Sequence, residues 1–245
     1  MKVIFSPTKS QSTDSGLLRP TSLSLFNKKT KFLLDELSKL SKAQLSKLLK
    51  ISQSKADEVY EYHRNVSSKT SALELFNGIS FKQLELQTYT KEQLTYAQQH
   101  LFVLSALYGV LRPLDQISCY RLDMNDTLLS GNSDYKSLYH FWSEEVAVNF
   151  VKEDVVLNLA SLEYSKMLRH NYFGSIIDVH FLLEKNEEQK AIAVHSKIQR
   201  GKMLNYIIKN KIHNLKDLKK YSADGYVFNV KQSTIDTYIF IKKDI

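Results

Sequence analysis

Val155-Val156-Leu157-Asn158-Leu159-Ala160-Ser161-Leu162-Glu163-Tyr164 is the stretch that sets the fold class. Its first five residues read as a buried strand, and the chain then turns at Ala160-Ser161 into a helix. Downstream, Ile177, Val179, Phe181 and Leu183 alternate with Asp178, His180, Leu182 and Glu184, the two-residue period of a strand, and residues 191–196 read as its hairpin partner. Upstream, residues 2–5 form a short apolar run stopped by Ser6-Pro7, and a Ser/Thr-rich loop to about residue 21 presents Lys9. Between 23 and 63 apolar residues recur at helical spacing, which predicts three short helices with Ser41 and Ser54 as N-caps. Residues 90–108 predict a long core helix: Leu94, Ala97, Leu101, Leu104 and Leu107 make a stripe, Thr90 and Gln93 a capping box, and Gly109 a stop. Another helix is expected over 138–151, a basic one over 201–210 and a short one over 215–219, with strands near 226–230 and 237–241. Helices and strands are interspersed with no regular βαβ repeat, linker or internal repeat. The expectation is one compact α+β (mixed α/β) domain over 1–245.

With 245 residues, 43% of them hydrophobic, the chain can bury a sizeable core, which argues against disorder. No apolar run approaches the ~20 residues that span a bilayer, and the N-terminus lacks a signal-peptide core. The single Cys119 cannot form an intramolecular disulfide. These features predict a cytoplasmic protein away from the membrane. The formal net charge of +8 is unevenly spread. Residues 1–50 hold ten Lys/Arg against three acids, and residues 185–220 again ten against three, whereas residues 51–184 hold 11 against 17. If folding joins the two basic segments, they make one surface suited to a polyanion; if not, they are separate solvated faces.

No G-x-G-x-x-G, Walker loop or H-E-x-x-H occurs, so no cofactor is expected. His180 and His195 could face each other across the expected hairpin, but they lack neighbouring acids or thiols, and no metal site is expected. Residues 101–123 carry the densest potential chemistry. Arg112-Pro113-Leu114-Asp115 is an Arg-x-x-Asp unit, and Tyr120-Arg121-Leu122-Asp123 carries an Arg-x-Asp unit. They are either internal salt bridges or guanidinium forks for a phosphate, with the aspartates orienting them or acting as a base. Ser161 is either a simple N-cap or part of a ligand site at a helix N-terminus. Lys197-Ile198-Gln199-Arg200-Gly201-Lys202 reads as a basic turn after a strand, suited to phosphate or simply solvated.

At these residues the sequence resembles the YaaA family of bacterial peroxide-stress proteins. Ser6-Pro7-Thr8-Lys9 is similar to the family's S-P-A-K opening, and the segment from Ala97-Gln98-Gln99-His100-Leu101 through Leu104-Ser105-Ala106-Leu107-Tyr108-Gly109-Val110-Leu111-Arg112-Pro113-Leu114-Asp115 to its longest signature. Tyr120-Arg121-Leu122-Asp123-Met124, Leu138-Tyr139-His140-Phe141-Trp142 and residues 158–164 follow in family order. The family's K-x-A-R-G turn is matched at Lys197 and Arg200, its G-D-V-Y segment only at Gly78, and the glycine after R-L-E-M is Asn125 here.

The resemblance implies a compact family-specific α+β fold, a role in limiting peroxide damage, and DNA binding through an electropositive cleft and a helix-hairpin-helix element. That element would lie within 41–65, with Lys47, Lys50 and Lys55 near its hairpin. The leading expectation is a protein that grips the phosphates of duplex or distorted duplex DNA with Lys9, Arg112, Arg121, Lys197 and Arg200 in a cleft, largely independently of base sequence. An alternative is a lyase or hydrolase acting on damaged nucleic acid, with Lys9, Asp115 and Glu163 as catalytic groups beside Ser105, Tyr108 and Asp123. A third is a role in iron handling or with a protein partner.

Overall fold

The computed structural model describes residues 1–13, 16–64 and 69–243. Strand β1 (Lys2–Phe5) is followed by the short β2 (Ser22–Leu23) and by helices α1 (Asn27–Ser38), α2 (Lys42–Leu49) and α3 (Gln53–Arg64). Next come β3 (Thr70–Ser71), α4 (Ala72–Leu75), α5 (Lys91–His100), β4 (Leu101–Ser105), β5 (Gly109–Leu111) and β6 (Asp115–Ile117). The chain continues through α6 (Leu138–Ala147), β7 (Val155–Leu159), α7 (Leu162–Arg169), β8 (Ser175–Lys185) and β9 (Glu188–Lys190). It ends with α8 (Ala193–Asn210), α9 (Leu215–Leu218), β10 (Ser222–Ala223), β11 (Tyr226–Phe228) and β12 (Thr237–Lys243).

Nine strands form one sheet in the order β10-β11-β12-β8-β7-β1-β4-β5, with β9 paired to β8. Its central strands β12, β8, β7, β1 and β4 run parallel. Parallel strands covered on both faces read as continuous apolar runs, and accordingly Val3, Ile4, Phe5, Leu101, Val103, Leu104, Val156, Leu157 and Leu159 are all buried. A second sheet, β2-β6-β3, sits apart from the first. The result is a single mixed α/β domain. From β1 the chain builds β4 on one side and later returns as β7 on the other, which makes the carboxyl end of β1 a topological switch point, the usual place for a ligand in such sheets.

The helices expected between 23 and 63 are present. The Ser41 hydroxyl accepts the Gln44 N–H, while the Gln44 side chain accepts the Ser41 N–H in return. α3 starts one residue before the expected cap, Ser54, and it is the Ser52 hydroxyl that accepts the Lys55 N–H. Residue 65, the last of the candidate helix-hairpin-helix span, lies outside the described residues.

Two expected elements are corrected. The helix expected over 90–108 keeps its Thr90–Gln93 capping box but ends at His100, where Leu101 turns to extended backbone and β4 begins. Leu94, Ala97, Leu101 and Leu104 fit helical spacing, but Leu101-Phe102-Val103-Leu104 is also a run that a fully buried strand accepts, and no glycine or proline marks the boundary. The hairpin partner of β8 is Glu188–Lys190 rather than 191–196, joined through Asn186 and Glu187, both at positive φ as a tight two-residue turn requires. Residues 193–196 instead open α8, so Lys197 to Lys202 lie on a helix and not on a turn. This also separates the two histidines: His195 lies on α8, with its Nδ1 3.2 Å from the Tyr226 hydroxyl, while His180 stays exposed on β8.

Candidate functional site

The carboxyl ends of β1 and β7 open onto a cavity of about 470 Å³. Five segments besides those strands wall it: the loop at 6–11, residues 78–80, residues 120–123, the start of α7 with Ser161, Glu163 and Tyr164, and the face of α8 bearing Val194, Lys197 and Arg200. The two strand ends are tied together at its floor, where the Ser161 N–H donates to the Ser6 hydroxyl at 2.8 Å and that hydroxyl points at Ser161 Oγ, 3.3 Å away. Ser161 is the N-cap of α7, yet its side chain makes no capping bond. The hydroxyl is thus turned from the helix toward the cavity, and the first N–H groups of α7 lack intrahelical partners. Asn158 holds the turn from behind, accepting the Ala160 N–H and donating to Asp178 at 2.7 Å.

Gly78 brings the opposite wall in. Its N–H donates to Thr8 Oγ1 at 3.1 Å, and a Cβ there would lie 2.5 Å from Thr8 Cγ2, closer than any side chain permits.

Lys9, Arg121, Lys197, Arg200 and Glu163 all line the cavity. The two basic segments therefore meet, though only in part. Lys9 comes from the first and Lys197 and Arg200 from the second, whereas Lys2 donates to the Gln99 carbonyl, Lys29 pairs with Glu145, and Lys42 with Asp57. Lys47, Lys50 and Lys55 lie on the α2–α3 pair and do not line the cavity, and Lys55 pairs with Glu58. Arg112 and Asp115 also lie outside it. Asp115 is fully buried and takes the Arg112 guanidinium at 2.8 and 3.0 Å, so this Arg-x-x-Asp unit is the internal salt bridge. Ser105 is buried as well, its hydroxyl 2.8 Å from that of Tyr120.

The Arg121-Leu122-Asp123 unit behaves differently. Asp123 pairs with Lys9 at 2.7 Å rather than with Arg121, and it accepts the Tyr164 hydroxyl at 3.3 Å. Among the described residues the guanidiniums of Arg121 and Arg200 and the ammonium of Lys197 have no carboxylate within ion-pair distance, and the Nε atoms of both arginines are buried without a hydrogen-bond partner. Burial pulls the Arg200 pKa below its ordinary value, with Asp178 opposing from a distance. A charge held this way costs free energy unless something anionic arrives. Burial likewise pushes up the phenols of Tyr120 and Tyr164, so both stay protonated as donors. Glu163 accepts the Asn125 N–H at 3.3 Å. Among the described residues no group of three His, Cys, Asp or Glu could hold a metal ion, and no helix is long and apolar enough to cross a membrane.

His63, which the sequence reading passed over, sits behind Arg121 and accepts its backbone N–H on Nε2 at 3.3 Å. A buried histidine on an amphipathic helix gives no signal beyond an ordinary core position. Burial, with the Arg64 charge adding to it, drives its pKa down from 6.5 to about 4. The unfolded imidazole takes up its proton near 6.5 and the folded one only near 4, so this contribution to stability is intact above 6.5 and is lost as pH falls toward 4. The loss should reach about 3 kcal/mol. Urea unfolding at pH 7.5, 5.5 and 4.5 should show it, and His63→Gln should flatten that part of the profile.

A family model described as "Peroxide stress protein YaaA" matches residues 1–232. A UPF0246 protein of Crocosphaera subtropica is 40% identical over 227 residues, covering 89% of this chain and 90% of the relative. UPF0246 proteins of Finegoldia magna and Fusobacterium nucleatum are each 34% identical, the first over 99% of this chain and 98% of its own length, the second over the whole of both.

Proposed function

Because the chain belongs to the YaaA family of peroxide stress proteins, we propose that it binds DNA in the response to peroxide, gripping phosphates at the mouth of this cavity through Lys9, Arg121, Lys197 and Arg200. The observation that carries the reading is the convergence of three cations, from the 120–123 loop and α8, on one concavity with no carboxylate partner among the described residues. Helices α2 and α3 supply a second contact, acting as a helix-hairpin-helix. They are joined by only Lys50 to Ser52, with Lys50 in the left-handed conformation, and Lys47, Lys50 and Lys55 stand close to the join. Contacts of this kind go to the backbone and carry no base code, so affinity should vary little with sequence.

Anisotropy titrations of a labelled duplex across salt concentrations test this. With about six phosphates neutralised, log affinity should fall against log salt with a slope near −5, and Arg121→Ala should lower the affinity and reduce the slope by about 1. Affinity indifferent to salt, or no binding at low salt, removes the reading. Products released from an abasic duplex in the same mixtures would favour the lyase or hydrolase alternative, for which Lys9, Asp123 and Glu163 share the cavity wall.

A further inference from the structure

A continuous duplex cannot enter the cavity. Its volume of about 470 Å³ lies in the range that encloses a small ligand, while the major groove of DNA alone is about 12 Å wide. Backbone gripping at the mouth therefore leaves the interior unexplained, and part of the unpartnered charge reaches into it. The Nε atoms of Arg121 and Arg200 are both buried, Lys197 stands one turn before Arg200 on α8, and the Ser6 and Ser161 hydroxyls and the N-terminus of α7 line the same floor. Asp123 is already engaged by Lys9, and Glu163 by the Asn125 N–H. A phosphodiester brings one negative charge, and a terminal phosphate brings nearly two at neutral pH with three acceptor oxygens. With Lys9 and Asp123 cancelling, the three remaining cations against the Glu163 carboxylate leave an excess of about two positive charges, which matches the second better. One part of the wall is apolar, with half-exposed Val194 at its surface and Pro7 and Ile79 among the other lining residues, and a bare inorganic ion would leave it uncovered.

We propose that the cavity is a site for a nucleotide-sized group bearing a terminal phosphate, the phosphate held by Arg121, Lys197 and Arg200 and the organic part lying against the apolar wall. Two sources present this chemistry, a free nucleoside monophosphate and a phosphorylated end at a strand break. Only the second rests on the DNA reading above.

Calorimetric titration with AMP, adenosine and inorganic phosphate covers the first source. Nicked duplexes carrying a phosphate or a hydroxyl at the 5′ or 3′ side of the nick cover the second. In at least one arm the phosphorylated probe should bind at least tenfold more tightly than its unphosphorylated counterpart, with AMP also at least tenfold tighter than inorganic phosphate if the free arm is the positive one. Arg200→Gln should erase the difference. Lys197→Gln, at an exposed position, should reduce it severalfold and gives the answer should the first variant fail to fold. Equal binding of phosphorylated and unphosphorylated probes in both arms overturns the proposal, as does a tenfold preference that survives both substitutions. If an intact duplex still binds with a steep salt slope while the terminal phosphate adds nothing, the cavity inference fails and the backbone grip stands; if AMP binds and no duplex does, the reverse holds.

Discussion

Asp115→Ala should cost the fold about 3–5 kcal/mol, read as a lowered urea midpoint at unchanged slope. The carboxylate is fully buried and accepts from four donors: the Arg112 backbone N–H at 2.8 Å, the guanidinium Nε at 3.0 Å and Nη2 at 2.8 Å, and the Ser22 hydroxyl at 2.6 Å. Ser22 lies opposite Asp115 in the β2–β6 pairing, so the same side chain fixes the register of the small sheet. Alanine would take this acceptor from the Arg112 backbone N–H, its Nε–H and the Ser22 hydroxyl, leaving Nη2 with the Leu23 carbonyl at 3.2 Å, and an orphaned buried donor costs far more than a made bond returns. Arg112→Ala should be at least as damaging, since it strands a carboxylate that has no exposure, whereas Arg112 itself keeps 29%. Asp115→Asn, which keeps the shape and one acceptor, should lose less. In the cold, where it stays folded, the phosphate grip proposed above should match that of the unsubstituted protein, because Asp115 does not line the cavity. A change within about 1 kcal/mol for Asp115→Ala would mean that the ion pair does not hold the sheet.

This pair shows why two similar arginine–aspartate units diverge. In Arg112-Pro113-Leu114-Asp115 the aspartate follows its arginine by three residues, and in Arg121-Leu122-Asp123 by two. In the first the proline-led turn returns Asp115 to its own arginine; in the second Asp123 is drawn to Lys9, which arrives from β1 more than a hundred residues away, and Arg121 is left facing the cavity. The spacings differ by one residue, but the partner that Asp123 takes comes from a long-range contact that neither spacing encodes. The strand-to-helix stretch at 155–164 was legible because its apolar run and its N-cap are both local. Placing Ser6 against Ser161 required knowing that β1 lies beside β7, which no periodicity states. The boundary at His100 was lost for a third reason, that a buried helix and a buried strand make the same demand on four consecutive residues.

Gly201→Val should cost at least about 4 kcal/mol, and should impair ligand binding more than its distance from any phosphate suggests. A Cβ at this helical position would sit 2.1 Å from the Ser80 carbonyl oxygen and 2.9 Å from the Gln83 Cβ. The first neighbour is backbone, in the turn before the 3₁₀ segment Phe81–Gln83, and it cannot rotate away as a side-chain end would. The helix must therefore lift or the turn must retreat. Ser80 is part of the cavity wall, and Lys197 and Arg200 are the residues of α8 immediately before the contact, so either movement separates the cations from the wall they face. Glycine in a helix interior ordinarily costs about 1 kcal/mol relative to alanine, and here that cost is offset by a backbone approach that sets the width of the site. Gly201→Ala tests the coupling at a smaller insult: stability and duplex affinity should fall together, whereas a stable variant with full affinity would show that α8 can move without consequence for binding.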